Sequence, residues 1–236
     1  MTLKEIRLEL NRLGEPVRAK FSQRYFTGRS GYGADDKFIG LTVPQVRAVL
    51  KRAVDSPIEV VLVLLKSPIH EERLLALLIW VRQFAKGDTT LREQIFRSYL
   101  EHTKWINNWD LVDASARDIV GAWLADKDRK VLYRLVKSPS LWERRIAIIA
   151  THYFIREKEL QDTFALSEIL LTDREDLIHK AVGWMLREAG KRDLAALERF
   201  LVKHQQEMPR TTLRYAIEKL PEKRRQEYLS GTARLR

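Results

Sequence analysis

A motif built around one charged anchor returns along this chain about every 35 residues. Arg73 in Glu72-Arg73-Leu74-Leu75-Ala76-Leu77 has counterparts in Arg145 of Arg144-Arg145-Ile146-Ala147-Ile148-Ile149, Lys180 of His179-Lys180-Ala181-Val182-Gly183-Trp184 and Arg214 of Leu213-Arg214-Tyr215-Ala216-Ile217-Glu218. Lys180 follows Arg145 by 35 positions and Arg214 follows Lys180 by 34. Arg73 and Arg145 stand two periods apart, and Trp109-Asp110-Leu111-Val112-Asp113-Ala114 fills the gap. Each copy is preceded by a stretch with helical apolar spacing: Ile58–Lys66, Leu91–Glu101, Arg129–Lys137, Glu159–Leu171 and Asp193–Lys203. A helix pair at this period cannot bury its apolar face alone, so neighbouring pairs must stack into one core.

Pro57, Pro68, Gly87, Pro139, Gly190, Pro209 and Pro221 fall between the helical stretches, and no alternating strand pattern interrupts them. The sequence predicts an all-α protein, a right-handed α-solenoid of HEAT-like helical repeats with a concave basic face. It predicts a single domain over 1–236, with N-terminal helices in 1–55, repeats over about 56–221 and a tail over 222–236 that is loose after Leu229. The run Gly28-Arg29-Ser30-Gly31-Tyr32-Gly33 lacks the Gly-Lys-Ser/Thr of a phosphate loop and reads as a connection between the second and third helices.

Charge bears on the partner. Lys and Arg number 43 against 32 Asp and Glu, a net charge of +11 that favours a polyanion, either nucleic acid or an anionic membrane surface. A merely soluble basic surface is the plainer alternative. The absence of cysteine removes disulfides, cysteine-ligated metals and a thiol nucleophile. The five histidines show no metal-ligand spacing, so neither a metal nor a cofactor is expected. Asp35 and Asp36 read as helix-capping or loop-holding residues. No apolar run approaches the ~20 residues of a membrane span, and Met1–Arg7 is charged rather than signal-like. The expectation is a monomeric cytoplasmic protein, nucleoid-associated in a bacterium, with no membrane partner.

The repeat register also aligns columns. The anchor column reads Arg73, Asp110, Arg145, Lys180, Arg214, four cations in five, which suits a phosphate backbone. The competing reading is a solvated rim, or arginines buried as caps of the preceding helix turn. Three positions on, Ala76, Asp113, Ile148, Gly183 and Ile217 include one carboxylate among small and apolar residues. A carboxylate there is costly to bury without a partner. Trp109 stands one helical turn before Asp113, and Trp184 lies two repeats on. Tryptophan at helical spacing is more often core, and Asp113 has Arg145 and Arg117 as candidate ion-pair partners. A carboxylate beside aromatic faces is nevertheless the equipment for stabilising a cationic centre.

Four blocks, in order, resemble one family. Tyr32-Gly33-Ala34-Asp35-Asp36-Lys37-Phe38-Ile39-Gly40 ahead of Val43-Pro44, Trp105-Ile106-Asn107-Asn108-Trp109-Asp110-Leu111-Val112-Asp113, Leu141-Trp142-Glu143-Arg144-Arg145-Ile146-Ala147, and His179 through Glu188 are similar to the AlkD-like DNA alkylation-repair proteins. The resemblance runs from about residue 20 to 220. It implies a HEAT-like repeat glycosylase that hydrolyses the N-glycosidic bond of cationic alkylated purines, such as N7-methylguanine and N3-methyladenine, in double-stranded DNA. By position, Asp113 corresponds to the catalytic carboxylate, Trp109 and Trp184 to aromatic walls beside the damaged nucleotide, and Arg145 to a phosphate ligand. Lys180, Arg187, Arg214 and Tyr25 are further DNA-contact candidates. The alternative is a non-catalytic HEAT-repeat DNA-binding module or protein scaffold, since fold alone does not imply function.

Overall fold

The structure is a computed structural model that describes residues 1–27 and 32–235. Gly28–Gly31, most of the glycine-rich connection, lies outside the described residues. The described chain is helical, with a single isolated bridge between Lys37 and Ile69 as its β structure. In order it forms α1 (Leu3–Leu13), α2 (Pro16–Phe26), α3 (Val43–Ala53), α4 (Ile58–Leu65), α5 (His70–Lys86) and α6 (Thr89–Glu101). A 3-10 turn over Thr103–Trp105 leads to α7 (Trp109–Asp113) and a π turn over Arg117–Gly121. Then come α8 (Lys130–Leu135), α9 (Leu141–Arg156), α10 (Gln161–Leu170), α11 (Asp176–Gly190), α12 (Leu194–His204), α13 (Arg210–Ala216) and α14 (Glu222–Leu229). The paired helices expected from the repeat register are present at nearly the expected positions. Short polar side chains start several of them. Thr2 and Thr42 build reciprocal capping boxes with Glu5 and Gln45, while Asp88 and Asp193 accept backbone N–H groups three residues on.

The residues gather into two compact units, Met1–Ile119 and Val120–Arg236. In the first, α5 packs on α3, α4, α6 and α7, and α1 packs on α3. Leu74–Trp80 of α5 is continuously buried. Its first turn is buried too, although His70, Glu71, Glu72 and Arg73 are all polar. Each finds at least one polar partner, as burial of such groups demands. Glu72 accepts from Arg7 Nε of α1 at 3.0 Å, and Glu71 accepts the backbone N–H groups of Gly40 (2.8 Å) and Ile39 (3.1 Å). Arg73 donates to the Ser67 carbonyl at 2.9 Å. Gly40 adopts φ +85°, and a Cβ there would stand 2.1 Å from the Glu15 carbonyl oxygen, so this turn requires glycine.

In the second unit α11 lies against both α9 and α13, and also contacts α10 and α12. The anchor-bearing helices α9, α11 and α13 therefore stack in chain order. Gly183 lets two of them meet closely, since a Cβ would lie 2.5 Å from Tyr215 Cβ and 2.6 Å from the Thr212 carbonyl oxygen. Gly183→Ala is expected to destabilise by about 1–2 kcal/mol, because overpacking against fixed backbone exceeds the ~1 kcal/mol gain in helix propensity. A urea midpoint lowered at unchanged slope is the readout.

One expectation needs correction. The segment after Leu229 is held, not loose: Ala233 is buried and its carbonyl accepts from Gln205 at 3.1 Å, while Arg224, itself buried beneath Tyr228, donates to the Arg234 carbonyl at 2.9 Å. The second helix of the middle repeat, α7, has 5 residues against 17, 16 and 15 in α5, α9 and α11. Ser115 Oγ donates to the Leu111 carbonyl at 2.6 Å and meets Tyr99 Oη at 2.9 Å. A buried serine bonded in this way competes with the helix's own ladder, and α7 ends just before it.

Candidate active site and nucleic-acid interface

The first unit brings together Tyr25, Trp109 and Asp113. Asn108 is fully buried and locks the junction that carries them. Its Oδ1 accepts from Trp109 N at 2.9 Å, starting α7, and its Nδ2 donates to the Phe26 carbonyl at 3.1 Å, at the end of α2. The rings follow. Phe26 stacks on Trp109 with centroids 5.4 Å apart and planes within 20°, and Tyr25 meets Trp109 edge-on at 6.0 Å. Trp109 and Asp113 open and close the same five-residue helix, one turn apart, and both are half-buried. Asp113 is thus not sealed from solvent. Arg117, a sequence candidate for its partner, instead grips its own neighbour Asp118 at 2.7 Å. Burial above all, aided by the Asp113 charge, holds the Tyr99 phenol above its ordinary range.

Beneath α7 lies a group of charges that sequence reasoning did not assemble. His70 Nδ1 is 3.1 Å from Asp36 Oδ2, and Nε2 is 2.8 Å from Asp110 Oδ2. Asp36 also meets the Arg73 guanidinium at 2.5 Å. Ionised carboxylates only accept, so an imidazole placed between two of them donates from both nitrogens and is cationic. Burial favours the neutral ring, but the hydrogen bonds to Asp110 and Asp36 outweigh it and push the His70 pKa up to about 9. Asp36 answers in kind: burial would raise its pKa, and its contacts with His70 and Arg73 bring it below the ordinary value. The His70 ring stacks on Phe38 at 4.7 Å and leans on Phe26 at 5.0 Å, so one clamp supports both α7 and the ring under Trp109. Asp36 holds this loop, as expected. The available sequence signal was Asp110, the one anion in the anchor column.

The remaining candidates belong to the second unit. Trp184 on α11 is half-buried, with its ring 5.8 Å from His152. Lys180 pairs with Asp176 at 2.7 Å, Arg187 pairs with Glu218 and Arg214 is exposed. Exposed pairs of this kind are worth ~0–1 kcal/mol, so a phosphate can displace the carboxylate at small cost.

The anchor column is corrected. Arg145 is 4% exposed and Arg73 only 2%, and neither stands on an open stripe. Arg145 Nη1 donates to the Leu177 carbonyl, tying α9 to the start of α11, as its neighbour Arg144 does through Asp173 at 2.6 Å. For Arg73 and Arg145 the alternative reading, arginines buried against backbone carbonyls, describes the structure, whereas Lys180 pairs within α11 and Arg214 is exposed. Arg145→Ala is expected to lower stability by about 2 kcal/mol, the scale of one charge-assisted hydrogen bond. Chemical denaturation measures it.

No helix among the described residues is long and apolar enough to cross a membrane, and none of them form a group of three or more His, Asp or Glu able to hold a metal ion. The model of the family described as DNA alkylation repair enzyme matches residues 6–220. No curated protein matches the chain. A solved structure described as a predicted DNA alkylation repair enzyme from Enterococcus faecalis is similar, with a TM-score of 0.67 and 18% identity over 89% of this chain and 97% of that one. At that identity the likeness is one of fold.

Proposed function

This chain belongs to the DNA alkylation repair enzyme family, and from that premise we propose that it is a DNA glycosylase for cationic alkylated purines. The observation that carries the reading is the pairing of Trp109 and Asp113 on α7, where both residues are only half-buried. The net charge of +11 suits a duplex substrate.

The chemistry asks little of such a site. Alkylation at N7 or N3 has already made the purine a good leaving group. The C1′–N9 bond breaks with its electron pair going to the purine, which departs neutral. Positive charge develops on the deoxyribose, as in glycoside hydrolysis. Asp113 is the group that stabilises that charge, and it is worth more where rings exclude water. A water adds to C1′ and its proton passes to solvent, leaving an abasic site. Trp109 lies against the sugar or base face, where its quadrupole favours the cation over neutral DNA. By the family resemblance Trp184 is likewise assigned to an aromatic wall. Tyr25, Lys180, Arg187 and Arg214 are assigned to the DNA backbone, and Arg145 braces α9 against the start of α11. No metal or cofactor enters this scheme.

The test is an abasic-site count. Wild-type protein incubated with a duplex carrying one 7-methylguanine is expected to create one site reactive with an aldehyde probe per lesion, and none in the undamaged duplex. Equal labelling of both duplexes contradicts the reading.

A further inference from the structure

The second helix has an outward face that stays largely exposed among the described residues. Val17, Phe21 and Tyr25 are 77%, 66% and 59% exposed, and their spacing puts them in one row along α2. Of the eleven residues of α2, Ser22 alone is buried. A helix with this much solvent contact ordinarily turns polar residues outward, so an exposed apolar row of this length marks a contact surface.

Two observations identify what it contacts. The first is charge. Residues 16–26 contain Arg18, Lys20 and Arg24 and no carboxylate. Arg18 is engaged by Glu15 at 2.9 Å, whereas Lys20 and Arg24 are exposed, three residues beyond Val17 and Phe21, so they flank the apolar row. The second is continuity. Phe21 and Tyr25 stack with centroids 6.0 Å apart and planes within 13°, and Tyr25 in turn meets Trp109 at 6.0 Å. The exposed rings form an unbroken line into the helix that carries Asp113. A partner that reaches Trp109 is therefore led along α2, and it must offer apolar faces alternating with negative charge. The backbone of DNA does so, with deoxyribose faces between phosphates.

We propose that the α2 row is an extension of the substrate interface, with Val17, Phe21 and Tyr25 against the sugar faces of one DNA strand and Lys20 and Arg24 on its phosphates. This rests on the reading of the chain as a DNA-acting enzyme. It adds a surface that grips the duplex beyond the damaged nucleotide.

The experiment uses the full-length protein and a fluorescently labelled duplex with one 7-methylguanine, titrated by anisotropy between 50 and 200 mM NaCl. Val17→Ser with Phe21→Ser is expected to weaken binding about tenfold, the size of a lost aromatic contact, with little change in salt slope. Lys20→Ala with Arg24→Ala is expected to reduce the slope by about two units, near one per phosphate. Both pairs are exposed, and an unchanged circular-dichroism melt verifies folding. Unchanged affinity in the serine pair, with base release intact in the wild type, overturns this inference alone. The same holds if sedimentation shows a wild-type dimer that the serine pair converts to monomer at unchanged DNA affinity, which makes a second copy the occupant. If the wild type binds no duplex at low salt, the functional reading falls with it.

Discussion

Asp113→Asn lowers single-turnover release of 7-methylguanine about 10²–10³-fold, the scale for removing one preorganised electrostatic group, and leaves duplex affinity unchanged. The substitution keeps the size and hydrogen-bonding shape of the side chain and removes its charge. A ground state in which the positive charge lies on the purine gains little from that carboxylate. A transition state in which charge has moved to the sugar gains much, so the loss falls on the chemical step rather than on binding. Asp113 is half-buried, and an unchanged circular-dichroism melt of the variant is the control that its fold is retained. An asparagine variant that releases base at the wild-type rate removes Asp113 from the mechanism.

The second large effect is on stability, and it depends on pH. His70 titrates near 6.5 when unfolded and near 9 in the folded protein. A raised folded-state pKa stabilises fully below about pH 6.5. The contribution declines as pH rises and is gone above about 9. The separation corresponds to about 3 kcal/mol. Urea unfolding at pH 6 and pH 9.5 should differ by that order, with the higher pH less stable. His70→Gln leaves Asp36 and Asp110 facing a group that carries no charge. It is expected to cost about 3–5 kcal/mol at pH 6, as for other broken buried pairs, and to abolish this part of the pH dependence. A wild-type stability that rises between pH 6 and 9.5 contradicts the assignment of His70 as the clamp's cation.

The architecture was largely legible because helical periodicity is local. The stretch read as Ile58–Lys66 is α4 at Ile58–Leu65, and Arg129–Lys137 contains α8 at Lys130–Leu135. The shortness of α7 was not legible, because it depends on what the Ser115 hydroxyl finds in the folded unit. The pairing of Trp109 with Asp113 could be read from a break in a repeated column. The meaning of the column itself could not, since register tells which residues are equivalent but not which way a long side chain turns. Arg73 and Arg145 turn inward to carbonyls. The His70 clamp joins residues 34 and 40 positions away, a closure that only the tertiary fold makes. The exposed row on α2 was hidden for a related reason: Val17, Phe21 and Tyr25 have the spacing of a buried face, and burial is decided by what packs there.

The central claim is that this protein breaks the bond between an alkylated purine and its sugar. Mass spectrometry of the small-molecule fraction, after incubation of wild-type protein with methylated duplex, tests it most directly. The account predicts free 7-methylguanine and 3-methyladenine in excess of spontaneous loss, with unmodified guanine and adenine absent. Duplex held by the protein with no base released beyond the spontaneous rate would contradict it.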